Sequence, residues 1–267
     1  MGHDPVIYVT GGDGQVGRAL RELLPAARVL TRAELDVTDA TGVEAVLGGA
    51  ELVIHCAAMT DVDGCERDPR AAAQANTEGA ANVAAAARRT IMLSTDYVFD
   101  GTSVQPYRED DPPNPRSVYG RSKLAGERAV LAAGPNLVVR TSWVYGEGRN
   151  FFRAILAANA AGKPLRVVGD QRGRPTNASD LAAALAYLAR RDDTGVLNVT
   201  GAGEPTTWAD LAEIAVGHPV QRVTTQEWGA PAPRPASSVL ALDRARSLGV
   251  PLTDWRGSLH RYLEELE

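Results

Sequence analysis

The sequence predicts an α/β fold, a doubly wound parallel sheet with a small C-terminal lobe, and three observations lead to this prediction. Short apolar runs alternate with longer helical segments over the first half of the chain, which is the pattern of successive βαβ units. A glycine-rich turn separates the first apolar run from the first helical segment. The 267 residues, of which 44% are hydrophobic, suffice for one sizeable core and a small lobe.

The predicted elements follow one another in the order that such a sheet needs. Strands are predicted at 6–10, 27–31, 52–56, 90–95 and 137–142, and helices at 16–24, 39–47, 69–88 and 117–133. After about residue 150 the pattern loosens into helices at 151–161, 178–190, 208–216 and 257–266, strands at 165–168 and 197–199, and a proline-rich loop at 230–236. We therefore expect a Rossmann-type domain at 1–150, with core elements returning from later segments, and mainly the lobe at 151–267.

Composition argues against several classes of protein. The net charge of −5 and the lack of a basic run disfavour a nucleic-acid binder. No apolar stretch approaches the roughly 20 residues that span a bilayer, and the N-terminus leads directly into a strand, so neither a membrane nor a secreted protein is expected. Cys56 at a strand end and Cys65 in a polar loop are expected to be reduced thiols of a cytoplasmic protein.

The glycine-rich turn after the first strand predicts a dinucleotide site. Gly11, Gly14 and Gly17 are spaced as G-x-x-G-x-x-G, with Gln15 and Val16 between the last two and a helix following at once. Such glycines allow a tight turn and a close approach of backbone N–H groups, while the helix N-terminus favours the pyrophosphate charge. The first 150 residues would therefore form an NAD(P)-binding domain.

The end of the second predicted strand indicates which dinucleotide binds. An acidic residue here would take the adenosine 2′-hydroxyl, but Thr31 and Arg32 occupy this position. Because a hydroxyl and a guanidinium suit a phosphate, NADPH is favoured, with NADH as the alternative. Asp36, followed by Val37, is better placed for the adenine edge; its other role would be to cap the helix near Asp39.

Three further residues predict a proton donor beside the nicotinamide. Tyr119 and Lys123 are four residues apart on a predicted helix, so they share one face. The ammonium can lower the pKa of the phenol and bind ribose hydroxyls, and the phenol can protonate an alkoxide. Thr95 ends the fourth predicted strand and can hydrogen-bond a substrate carbonyl; we favour it over Ser94, which could simply satisfy the strand end.

These residues, with further motifs, resemble the extended short-chain dehydrogenases/reductases, and most closely the dTDP-4-dehydrorhamnose reductase family. The most specific motif is Ser-Thr-Asp-Tyr-Val-Phe-Asp-Gly at 94–101. The resemblance covers essentially the whole chain, and its other segments are 10–17, 35–39, 56–63, 119–127, 140–146, 170–171, 175–176, 234–235 and 238–240.

The resemblance implies NAD(P)H-dependent reduction of the C4 ketone of a dTDP-4-keto-6-deoxyhexose, on the route to dTDP-L-rhamnose or a related deoxysugar. It implies that Thr95, Tyr119 and Lys123 are catalytic. Beyond the turn, it implies cofactor contacts from Arg32, Asp36, Val37, Ala57, Ala58, Met59, Tyr119 and Lys123. Substrate contacts are implied for Thr60, Val62, Asp96, Tyr97, Trp143 and Arg234.

Two of the implied substrate residues have specific roles and specific alternatives. Trp143 would offer the sugar a flat apolar face and one N–H donor, unless it only packs in the core. Arg234 would hold the nucleotide diphosphate, unless it forms a surface salt bridge.

The sequence also departs from the family pattern. Some relatives dimerise through a magnesium ion held partly by an acid on the first helix, but Ala19 lies in that region, so no metal is predicted. Met59 stands where an aromatic or polar residue is usual, and the second half, which selects the sugar, is short.

Other functions stay open on the sequence alone. One is a nucleotide-sugar epimerase or dehydratase, and another is a non-catalytic regulatory subunit that binds NADP. The alanine-rich helical segments at 70–88 and 122–133 could also pack against a second subunit, which would make a homodimer.

Overall fold

The computed structural model describes residues 6–266 and has a six-stranded, all-parallel sheet at its centre. The strands are β1 (Ile7–Thr10), β2 (Arg28–Leu30), β3 (Leu52–His55), β4 (Thr90–Thr95), β5 (Leu137–Thr141), β6 (Val144–Tyr145), β7 (Arg166–Val168), β8 (Arg172–Gly173), β9 (Thr176–Asn177), β10 (Gly195–Asn198), β11 (Thr206–Thr207) and β12 (Gln221–Val223). The helices are α1 (Gln15–Leu23), α2 (Ala40–Leu47), α3 (Val62–Arg67), α4 (Pro69–Ala73), α5 (Gly79–Ala86), α6 (Val118–Ala133), α7 (Phe151–Ala160), α8 (Ala178–Leu188), α9 (Trp208–Val216), α10 (Thr225–Trp228), α11 (Asp243–Ser247) and α12 (Trp255–Glu264).

The strand order places a ligand crevice at the carboxyl end of β1. The order is β2-β1-β3-β4-β5-β10. The chain therefore adds β2 on one side of β1 and then crosses to add β3 on the other side. Ligands of open α/β sheets bind outside the carboxyl ends of the strands at this point of reversal. The predicted fold class, a Rossmann-type doubly wound sheet, is confirmed.

Successive residues of a strand point to opposite faces of the sheet, and here both sets are mainly apolar. Helices therefore cover both faces. One face packs α1 and α8 against a buried cluster that includes Val9, Ile54 and Val139. The other packs α2, α5 and α6 against residues such as Val53 and Met92.

Part of the second half completes the central sheet. β10 pairs with β5, with Val196 beside Val138, and α8 packs on α1. The remaining later segments form short two-stranded ladders, β6 with β9, β7 with β12 and β8 with β11, together with α7 and α9. The boundary near residue 150 stays a prediction.

The predicted single helix at 69–88 is wrong in its centre. A π-helical turn, Gln74–Glu78, separates α4 from α5. Its Asn76 is fully buried and bonds to groups on two other segments, so the side chain is held inward at the place where the helix widens. Such π-turns are frequent at functional sites.

The placement of Cys65 in a polar loop is also wrong. Asp61 caps the short helix α3 by accepting from Gly64 N, and the helix buries Cys65 completely. Within the described part of the chain, no helix has the length and apolar character needed to cross a membrane.

Candidate active site

The glycine-rich turn forms a cradle with no room for side chains. Gly11 has φ 77°, and a Cβ added there would lie 2.6 Å from the backbone nitrogen of Ala57, beyond the end of β3. A Cβ at Gly17 would overlap the carbonyl oxygen of Gly11. Gly14 is the N-cap of α1 and has no side chain to bond it, so backbone N–H groups at this terminus lack a side-chain partner.

One buried side-chain atom beside the glycine-rich turn makes no hydrogen bond among the described residues. Gln15 is the first residue of α1, and its Oε1 is buried without a hydrogen-bond partner among the described residues. Val16 behind it is buried in the core. The tight turn, the close approach to the next strand and the uncapped N–H groups at the start of α1 together fit a dinucleotide pyrophosphate, whereas Gln15 Oε1, as an acceptor, could bond only a donor such as a hydroxyl.

The end of β2 offers both acidic and basic groups. The backbone N–H and hydroxyl of Thr31 both donate to Glu34 Oε2, at 2.8 Å each. These hydrogen bonds, the backbone one first, hold the pKa of Glu34 below its usual value. Arg32 is 85% exposed and lies 3.5 Å from Asp36, so its guanidinium is available to a ligand.

Asp36 does not cap the following helix. Its Oδ1 accepts from the backbone N–H and the hydroxyl of Thr38, and these bonds lower its pKa. The cap of α2 is Asp39, which accepts from Thr41 N. Val37 is buried, and its side chain packs in the apolar cluster with Leu35 and Val83.

The chain after β3 borders the cradle and continues toward α3. Ala57 N donates to Thr10 Oγ1 at 3.4 Å, and Ala58 and Met59 are half-buried. Thr60 is exposed, and Val62 starts α3.

Asn76 holds the Met59 peptide from both sides. Its Oδ1 accepts from Met59 N at 2.7 Å, and its Nδ2 donates to Met59 O and to Ser122 Oγ. Because Ser122 precedes Lys123, the π-turn ties the chain after β3 to α6. Asn76 was not singled out from the sequence, although an amide inside an alanine-rich helical segment was a usable signal.

The structure brings Thr95 and Tyr119 together. Thr95 ends β4, and Tyr119 lies in the first turn of α6, whose N-cap is Ser117. Burial raises the pKa of Tyr119 well above its ordinary value, and a hydrogen bond with Thr95 partly offsets this rise. The phenol is therefore protonated at neutral pH, as a proton donor must be.

Lys123 lies one turn further along the same helix face. It is only 3% exposed, and its Nζ donates to Leu93 O at 2.7 Å. Burial lowers the pKa of Lys123 to about 8, and the charge of Glu127 opposes that shift. Lys123 is thus a buried cation bonded to β4 two residues before the strand ends at Thr95.

Glu127, one helical turn after Lys123 on α6, forms a buried ion pair with Arg140 of β5. Glu127 receives two bonds from Arg140, Nη2 to Oε2 at 2.7 Å and Nε to Oε1 at 3.0 Å, and one from Ser94 Oγ. Ser94 therefore links the end of β4 to α6, which agrees with the structural role that was its alternative to catalysis. Neither Glu127 nor Arg140 was singled out from the sequence.

Asp96 and Tyr97 extend the site beyond Thr95. The Thr95 hydroxyl donates to Asp96 Oδ1 at 3.0 Å and accepts from Tyr97 N at 3.1 Å. Burial raises the pKa of Asp96 to about 7, against the lowering effect of hydrogen bonds from Ser238 and Thr95. The Tyr97 ring meets the Tyr119 ring edge-on, with centroids 5.9 Å apart.

Trp143 lies at the same edge of the sheet as Thr95. In the β4–β5 register, Thr95 is paired with Thr141, two residues before Trp143. Trp143 is half-buried, and its indole is stacked on Trp208, so the residue packs against the later segments and stays partly exposed.

Arg234 is already paired in this structure. Its Nη1 and Nη2 each donate to one carboxylate oxygen of Asp63, at 3.0 Å. Asp63 also accepts from Ala232 N, so the proline-rich loop is tied to α3. In this structure Arg234 therefore forms an ion pair, which was the alternative to binding the nucleotide diphosphate.

The fold and site together define a dinucleotide-binding protein of the short-chain dehydrogenase/reductase class. The chain belongs to the family described as the RmlD substrate binding domain, whose model matches residues 5–267. It is 41% identical over 279 residues to a probable dTDP-4,6-dihydroxy-2-methyloxan-3-one 4-ketoreductase of Streptomyces antibioticus, which covers 97% of this chain and 94% of that protein.

Two further comparisons agree with this membership. The chain is 40% identical over 280 residues to a dTDP-4-dehydrorhamnose reductase of Streptomyces griseus, covering 96% of this chain and 92% of that one. The crystal structure of dTDP-4-dehydrorhamnose reductase from Bacillus anthracis in complex with NADP has a TM-score of 0.92 and 32% identity, and covers 98% of this chain and 100% of that one.

Proposed function

We propose that this protein reduces the C4 ketone of a dTDP-4-keto-6-deoxyhexose with NADPH, in the biosynthesis of dTDP-L-rhamnose or a related deoxysugar. The observation that carries the proposal is the pairing of Thr95 with a protonated Tyr119 above a buried Lys123. These groups lie at the carboxyl edge of the sheet. The relatives named as ketoreductases of dTDP sugars supply the substrate class.

The cofactor would be held by groups along the carboxyl ends of the first three strands. The cradle of Gly11, Gly14 and Gly17, with the backbone N–H of Gln15 at the start of α1, would hold the pyrophosphate. Arg32 would bind the 2′-phosphate of NADPH, and the solved relative with NADP supports this choice. The other residues proposed to line the cofactor are Val16, Asp36, Val37, Ala57, Ala58 and Met59.

When bound, the nicotinamide supplies a hydride to the ketone carbon. Tyr119 would give its phenolic proton to the C4 oxygen, and Lys123 would stabilise the phenolate that results because its ammonium lies on the same helix face. The Thr95 hydroxyl would hydrogen-bond the same oxygen and so orient the ketone. The sugar and diphosphate would contact Thr60, Val62, Asp96, Tyr97, Trp143 and Arg234.

The site favours reduction over the two other functions. An epimerase or dehydratase holds NAD tightly, whereas the exposed Arg32 guanidinium at the end of β2 suits the 2′-phosphate of NADPH. A regulatory subunit would not need Thr95, Tyr119 and Lys123 together. A homodimer is not part of the proposal, since alanines such as Ala80 are buried within this chain.

The test is the loss of reduced-nicotinamide absorbance with dTDP-4-keto-6-deoxyhexoses made both before and after 3,5-epimerisation. We expect consumption with one of these sugars, faster with NADPH than with NADH. No consumption with either sugar, while NADPH binding is confirmed by calorimetry, would overturn the proposal. Tightly held NAD that purifies with the protein would instead support the epimerase or dehydratase.

A further inference from the structure

Trp143 has an unusual backbone conformation. Within residues 6–266 it is the one non-glycine residue with a positive φ, 47°. A bulky side chain in this region is a strained outlier, and such strain persists only where the surroundings fix it. Its carbonyl accepts from Thr176 N at 3.2 Å, which secures the backbone but not the indole.

Trp208 fixes the indole from one face. The two rings are stacked with centroids 4.0 Å apart and 15° between their planes. Trp208 is the first residue of α9, and a capping box of Thr207 and Asp210 sets where that helix begins. Phe151 packs on Trp208 in turn, at 4.7 Å between centroids, so Trp208 is itself held in place.

Gly173 fixes the edge of the same indole. A Cβ built on Gly173 would lie 2.5 Å from Cε2 and 2.6 Å from Cζ2 of Trp143. Gly173 pairs with Thr206 in the β8–β11 ladder, two residues before Trp208. One small ladder therefore positions both groups that confine the indole.

We propose that Trp208, with Gly173, is the positioning element that holds the Trp143 indole as a wall of the sugar site, and so determines affinity for the sugar part of the substrate. The inference rests on the proposed function for the identity of that substrate. It follows from the place of Trp143 at the carboxyl edge of the sheet, two residues after the Thr141 that pairs with Thr95, from the partial exposure of its side chain, and from a positive φ that the surroundings must fix. A flat apolar wall suits the C–H face of a deoxysugar.

The experiment measures binding rather than turnover, so that it is separate from the test of the proposed function. Calorimetry would compare the Kd of dTDP-L-rhamnose with that of dTDP for the wild type and for Trp208→Leu, Gly173→Ala and Trp208→Phe. Circular dichroism would follow the coupled signal that two stacked indoles give. Trp228→Phe is the matched control, because Trp228 is 51% exposed and lies on α10.

We expect Trp208→Leu and Gly173→Ala to weaken dTDP-L-rhamnose about three- to tenfold, the size expected for the loss of one aromatic pair. The Kd of dTDP and of NADPH should stay unchanged, the coupled signal should fall, and Trp208→Phe should recover part of the affinity. Trp228→Phe should match the wild type in each measurement.

Three results would overturn the inference: unchanged dTDP-L-rhamnose affinity in both variants, equal weakening of dTDP and dTDP-L-rhamnose, or a wild type that binds the two alike. If the variants discriminate as expected but no keto sugar is reduced, the inference stands and the proposed function fails.

Discussion

The buried pair of Glu127 and Arg140 gives the sharpest prediction about this fold. Their side chains are 2% and 4% exposed, and Ser94 adds a third bond to the carboxylate. Glu127→Gln keeps the shape of the side chain but leaves the Arg140 guanidinium without a counter-charge. Removing one partner of a buried pair costs about 3–5 kcal/mol of unfolding free energy.

That cost predicts a large change in thermal stability. A chain of this size loses about 2–4 °C of Tm per kcal/mol, so Tm should fall by roughly 6–20 °C. Replacing both partners, as in Glu127→Leu with Arg140→Met, removes the buried charges together and should cost less than Glu127→Gln alone. The pair would then show a coupling energy of about 2 kcal/mol or more.

The assay is calorimetric unfolding of the wild type, of Glu127→Gln, Glu127→Leu and Arg140→Met, and of the double variant that combines the last two. Glu127→Gln should also move the pH at which activity declines to a lower value, because the Glu127 carboxylate raises the pKa of Lys123. Additive destabilisation in the double variant, or a Glu127→Gln protein as stable as the wild type, would refute the reasoning.

Three further predictions concern the cofactor and the proton donor. Gly17→Ala should abolish NADPH binding measured by calorimetry, since its Cβ would overlap Gly11 O, whereas Gly257→Ala, with 3.7 Å of clearance, should bind normally. Arg32→Ala should raise the KM of NADPH about tenfold or more and leave the KM of NADH unchanged, since a hydrogen bond to a charged group contributes about 1.5–3 kcal/mol. Equal effects on the two KM values would exclude a contact between Arg32 and the 2′-phosphate. A pH–rate profile should decline above about pH 8 as Lys123, whose pKa burial lowers to about 8, loses its proton; a profile flat to pH 10 would show that its charge is not needed.

The central sheet could be read from the sequence because its signals are local. The strand at 90–95 and the helix at 208–216 have the predicted bounds, each being an apolar pattern with a clear start and end. The position of Thr95 beside Tyr119 was also foreseeable, since parallel strands place their carboxyl ends and following helices at one edge. The role of these residues in catalysis stays a prediction.

The features that the sequence could not predict depend on distant partners. Arg140 finds Glu127 across two elements, and Asn76 bonds to Met59 and Ser122, 17 and 46 residues away. Strands of two or three residues such as β8 and β11 carry too little pattern to be recognised. The positive φ of Trp143 is enforced by packing, and no property of tryptophan itself favours it.

The most direct test of the proposed mechanism is Tyr119→Phe. We expect this variant to bind NADPH with the Kd of the wild type but to reduce the dTDP-4-keto sugar about 10²- to 10⁴-fold more slowly, because the proton donor is gone. Tyr187→Phe is the control, since its hydroxyl donates only to Leu248 O away from the site, and it should keep full activity. A Tyr119→Phe enzyme as active as the wild type would contradict the account.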